Sequence, residues 1–181
     1  MPFKHLLSGS LAALAVVAVP ASAQDALEWA RVEAPSTILS AETPCTESEI
    51  ALLANAPDRL GIPVSLPAEN RVLCKSGDLI FVAGVIEEAA FAGMDKSLFD
   101  FLREQALSSQ TNQGTPREIS IDGRRVLANL EVREDSIAEV GFVEIDQTRI
   151  VFYTAGSPQN YDETASAAIN RFVQSIRVNA E

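Results

Sequence analysis

Two stretches of the chain are apolar on both faces of an extended backbone. Across residues 79–86, Leu79, Phe81, Ala83 and Val85 alternate with Ile80, Val82, Gly84 and Ile86, and across 149–155, Ile150 and Phe152 oppose Val151 and Tyr153. Side chains of a strand point alternately to its two sides, so both stretches need cover on both faces and belong near the centre of a sheet. Residues 124–133 read as one-sided: Val126, Ala128, Leu130 and Val132 point inward, Asn129, Glu131 and Arg133 toward water. Shorter strands are expected at 29–33, 71–74, 118–121 and 137–146, with turns at 75–78, Asp122-Gly123, 134–136 and Gln147-Thr148.

Helical signals occur in three places. Thr46 and Glu49 form a capping box before Ile50, Leu52 and Leu53. Asp95 is expected to cap a helix running to about Ser109, striped by Leu98, Phe101, Leu102 and Ala106 and widened by Phe99. Asp162 opens another, to Val173, striped by Ala165, Ala168, Ile169 and Phe172, and 175–178 closes the chain as a short strand or extended tail. Most strands are joined by connections too short for crossovers, so the sheet is mainly antiparallel. With helices required on both of its faces, the expected class is α+β, an α/β/α sandwich.

The first 23 residues change how the composition is read. Lys4 and His5 precede the apolar run from Leu11 to Val19, and Ala21-Ser22-Ala23 offers a small-x-small cleavage site. That is the pattern of a secretory signal, and the run is well short of the roughly 20 residues that span a bilayer. Residues 24–181 are then expected as one globular domain in the periplasm of a Gram-negative bacterium, or secreted, with no integral membrane anchor after cleavage. Cleavage removes one of 14 Lys+Arg and the only His, and leaves all 25 Asp+Glu, so the formal charge moves from −11 to about −12. An acidic chain with scattered arginines is not a nucleic-acid binder. Without an imidazole it has no Ser-His-Asp or Cys-His nucleophile and no His-ligated zinc.

Cys45 and Cys74 lie in the exported part, where paired thiols oxidise, and an intramolecular disulfide is the expected state. A free thiol or an intermolecular bridge remains open. Closing about 30 residues contributes about 3.5 kcal/mol on the chain-entropy account. The spacing is not that of a C-x-x-C redox or zinc motif.

The hairpin turn Asp122-Gly123 opening a long meander, the aromatic strand Ile150-Val151-Phe152-Tyr153 and the closing run from Phe172 to Val178 resemble the PsbP-like superfamily. The resemblance covers most of residues 70–178. That family includes an extrinsic lumenal subunit of photosystem II, a nuclear Ran-binding import factor and many exported bacterial proteins. It implies an α/β/α sandwich and an accessory or binding role without a catalytic centre. The cysteine pair is not a general feature of the family, and the early part of the mature chain falls outside the match.

Candidate chemistry is sparse. The serines lack a G-x-S-x-G setting, Lys75 and Lys96 lack an S-x-x-K frame, and the D-x-D-x-D-G spacing of a calcium loop is absent. Glu87-Glu88 and Glu134-Asp135 keep a carboxylate-dependent hydrolase open as an alternative, but adjacent acids seldom converge on one atom and read better as a solvated strand end and a turn. Two loops are candidate recognition segments, because loops carried on a rigid sheet commonly hold binding residues. One is the Pro-rich stretch 58–70, with Asp58, Arg59 and Asn70; the other is 155–160, with Ser157 and Asn160 and the adjacent Tyr161. Tyr161 is either an exposed anchor or a staple on the helix that follows. No cofactor and no metal are expected. The expected role is a non-enzymatic binding or accessory domain for an envelope protein or small ligand, with a self-associating structural protein as a further alternative.

Overall fold

In the computed structural model, which describes residues 28–45, 66–108, 116–158 and 162–179, Asp122 and Gly123 both take positive φ, 53° and 74°. A two-residue hairpin needs that backbone at both central positions, and here it joins β5 (Arg117–Ile121) to β6 (Arg124–Val132). Gly77, at φ 57°, makes a second tight turn. It joins β3 (Arg71–Ser76) to β4 (Leu79–Glu87) with Ser76 opposite Leu79, so the turn is shorter than the four residues expected. Adding β7 (Ile137–Glu144) and β8 (Arg149–Ser157) completes an antiparallel six-stranded sheet ordered β3-β4-β8-β7-β6-β5. The doubly apolar strands β4 and β8 are neighbours within it, as their patterns require.

Register explains the packing. Val85, Val151, Val143 and Val126 align in one row across four strands, and all are buried. They belong to the main core with the helix α2 (Glu163–Ser175), whose Phe172 lies 5.0 Å from Phe81. The next row, Gly84, Phe152, Phe142 and Leu127, points the other way. Leu127 and Phe142 pack with Leu98, Phe99, Leu102 and Ala106 of α1 (Leu98–Ser108), and Phe152 with Leu66, Leu73 and Val82. Asp162 caps α2 as expected, accepting from the Ala165 N–H at 2.7 Å.

Several expectations are corrected. The strand near residue 30, β1 (Ala30–Glu33), does not join the large sheet; it pairs with β2 (Leu39–Thr43), which pairs with β9 (Arg177–Val178) in a separate three-stranded sheet. β2 gave no alternating signal because Ser40 and Thr43 are as buried as Leu39 and Ala41. The cap of α1 is Ser97 rather than Asp95: its hydroxyl accepts from the Asp100 N–H at 3.1 Å and donates to the Asp100 carboxylate at 3.0 Å. Starting the helix there buries Phe99 with Leu98, keeps Leu102 and Ala106 against the core as expected, and turns Phe101 out of the expected stripe at 38% exposure. On β6, Leu127 is buried while Leu130 and Val132 are exposed. β5 stops opposite Ala128, so the alternation of β6 continues past its cover among the described residues. The short helix expected after Thr46 lies outside the described residues.

Candidate functional site

Cys45 and Cys74 are bonded, with Cα atoms 5.7 Å apart. Both are buried, so the bridge joins the end of β2 to the edge strand β3 out of contact with solvent.

The two segments expected to carry recognition reach opposite ends of the β4–β8 pair. Ser157 is not in a loop: the ladder runs on through Gly156 and Ser157, opposite Ala138 and Ile137, and Ser157 is only 1% exposed. With Pro158 it borders an open cleft of about 340 Å³ whose floor is the row Ile80, Gly156, Ala138 and Glu131. Asn70 closes a one-turn helix, Ala68–Asn70, and borders a second cleft of about 350 Å³ with Thr37, Glu87, Arg149 and Asn179. Thr37 holds a positive φ of 61° there, its carbonyl accepting from the Asn179 side chain. Each cleft has one carboxylate among its described lining residues. Glu131 is paired with Arg133 at 3.2 Å, and Glu87 faces Arg149 across the ladder. Asp58, Arg59, Asn160 and Tyr161 lie outside the described residues.

A buried carboxylate sits at the middle of β7. Glu139 is 2% exposed; it accepts from the Tyr153 hydroxyl at 3.1 Å and from Arg117 at 2.8 Å. Burial pushes the Tyr153 phenol far above its ordinary value, and the Glu139 carboxylate adds to the shift. Gly141 makes room for the ring, because a Cβ there would lie 2.5 Å from Tyr153 Cζ. Both Glu139 oxygens are engaged and the residue borders neither cleft, so the arrangement serves packing, not proton transfer.

Residues 89–94 carry no element in the sequence pattern, yet an apolar platform is built there. Glu88 donates its N–H to the Thr148 carbonyl at 2.9 Å, and one turn of helix, Ala89–Phe91, follows. The Gln147 side chain, from the β7–β8 connection, donates to the carbonyls of Phe91, Met94 and Lys96 at 3.3, 2.6 and 3.3 Å. Gln147 thus fixes the loop, from which Met94 faces outward while Phe91 packs against the cluster of Leu98, Phe99, Leu127 and Ile150. Met94 is 51% exposed, and Phe91 packs on Phe101 with ring centroids 5.4 Å apart. Helix α1 beneath is tied to the sheet by Arg125, which donates to Asp100 at 2.9 Å and stacks 4.6 Å above Phe99. That guanidinium, aided by the Ser97 hydroxyl, holds the Asp100 carboxyl below its usual range. The available signal was composition: Ala89-Ala90-Phe91-Ala92-Gly93-Met94 is an uncharged run with neither helical nor strand period.

Among the described residues no cluster of three or more His, Cys, Asp or Glu could hold a metal ion, and no helix is long and apolar enough to cross a membrane. No family model matches the chain, and no curated protein does. Solved structures similar to it include a point mutant of the protein Mog1, at a TM-score of 0.43 and 12% identity, covering 84% of this chain and 96% of that one. The Saccharomyces cerevisiae Ran-binding protein Mog1p is similar at a TM-score of 0.41 and 12% identity, with the same coverage.

Proposed function

We propose that the chain is an exported, non-enzymatic accessory domain of the bacterial envelope, an α/β/α sandwich of PsbP-like kind that acts by binding another protein. The observation that carries this reading is the platform of Met94 and Phe101, with the half-buried Phe91 packed against the Phe101 ring. Apolar side chains are held outward there by hydrogen bonds that fix the backbone beneath them, and a rimmed apolar patch on a rigid support is the ordinary form of a protein interface. The single carboxylate among the described lining residues of each cleft, beside an arginine, favours binding over carboxylate hydrolysis. The cleavage pattern at Ala21-Ser22-Ala23 and the buried disulfide agree with an oxidising compartment outside the cytoplasm.

Affinity capture from an envelope extract tests the reading. The wild-type chain is expected to retain a reproducible partner that is lost with Met94→Asp and with Phe101→Ser, both checked for unchanged unfolding temperature. Retention by all three proteins alike would count against the platform as the binding site. Fractionation with N-terminal sequencing of the product is expected to give a periplasmic chain beginning at Gln24.

A further inference from the structure

We infer that the platform docks a cationic amphipathic segment of a partner protein, one that presents apolar residues flanked by Lys or Arg. The inference rests on the binding reading above and adds the chemistry of the partner.

Glu88 enters the loop, Asp95 leaves it, and Glu104 stands on the next turns of α1, all exposed. Among the described residues Lys96 is the cation within this rim; it is bridged to Glu104 and lies 5.7 Å over the Phe101 ring, so its charge is already matched. Arg103, further along α1, is paired with Glu118 of β5. The apolar centre is therefore ringed by net negative charge on a chain whose formal charge is −11.

Complementary potential selects partners more than it adds affinity, and like charges brought together exclude them. A second copy would set Glu88 and Asp95 against themselves, and an anionic lipid surface would be repelled by the same groups. A segment with apolar anchors and basic flanks satisfies both the centre and the rim. The loop is ordered in advance by Gln147, so little conformational freedom remains to be lost when it docks.

The test uses the chain from Gln24 to Glu181 and a fluorescein-labelled amphipathic peptide of leucine, phenylalanine and lysine. An analogue with glutamate in place of every lysine, and phosphatidylglycerol vesicles, are run alongside. Binding of the lysine peptide is expected to weaken about tenfold with Met94→Ser or Phe101→Ser, and likewise with Glu88→Gln/Asp95→Asn. It should also fall steeply between low and roughly 0.5 M salt. The distant pair Glu33→Gln/Glu163→Gln removes the same charge and is expected to change binding less than about twofold. Equal binding of the glutamate analogue, equal effects of the distant and platform pairs, stronger binding to vesicles, or self-association abolished by Phe101→Ser would each overturn the inference. If the envelope partner is captured through the platform but the lysine peptide shows no preference, only the partner chemistry falls. If the platform variants release nothing from the capture, the binding reading falls with it.

Discussion

A carboxylate inside a sheet is costly unless its oxygens meet donors, and Glu139 keeps its place because Tyr153 and Arg117 supply one each. Tyr153→Phe leaves one oxygen short of a donor, and is expected to lower stability at pH 8 by about 1–2 kcal/mol. The pH dependence has a definite sign. The phenol is raised in the folded state, so its contribution is intact below the unfolded value of about 10 and is lost progressively above it. Urea midpoints of wild type and Tyr153→Phe should therefore converge as pH rises from 9 toward 11; parallel curves would show that Tyr153 ionises as freely in the native state as in the unfolded chain. Gly141 belongs to the same arrangement. An added Cβ would sit 2.5 Å from the tyrosine ring and 2.6 Å from the Leu127 carbonyl, both fixed by the ladder. Gly141→Ala is expected to cost at least about 2 kcal/mol, read from the same denaturation curves.

At the scale of elements, the loop 88–97 depends on one side chain from a different connection. Gln147→Ala removes three donated bonds while keeping the backbone bond from Leu98 to the Gln147 carbonyl. Amide exchange is expected to quicken across residues 91–97 and to stay unchanged in β6 and β7; acceleration throughout the sheet would mean that Gln147 supports the whole fold. Dependence of this kind is long-range, which is why the platform was not legible in the sequence. What was legible followed from period and count: β4 and β8 as doubly covered strands, the Asp122-Gly123 hairpin, the Asp162 cap and the cysteine pair. Ambiguity came from rival local choices. Asp95 and Ser97 are both good caps, and the contact of α1 with Leu127 and Ile150 decides between them by turning Phe99 inward. Gly156 and Ser157 carry loop-forming chemistry, yet pairing with Ala138 and Ile137 draws them into β8. For β2, burial of Ser40 and Thr43 erased the alternation that would have marked it.

Across the whole molecule, the three-stranded sheet is held to the rest by two kinds of contact. Noncovalent ones run through α2, where Arg171 donates to Glu42 at 3.0 Å and stacks 4.6 Å over Trp29 and the Ser175 hydroxyl accepts from the Glu42 N–H at 2.7 Å, and directly to the rest, where Trp29 packs edge-on against Phe81 and the Ser36 N–H donates to the Glu69 carbonyl. The covalent one is Cys45–Cys74, with a sequence separation of 29 between its ends. Opening it releases the unfolded chain from a closed loop of that size, which is worth about 3.5 kcal/mol, or roughly 10 °C in Tm for a chain of this length. Both sulfurs are buried, so dithiothreitol alone should act slowly on the native protein and quickly once urea unfolds it. The Cys45→Ala/Cys74→Ala pair is expected to show the full loss without reductant, with hydrogen exchange rising first in β1, β2 and β9 while β6, β7 and β8 keep their protection. An unchanged Tm in that pair would mean that the noncovalent contacts fix the small sheet by themselves, and that the bridge adds nothing to them.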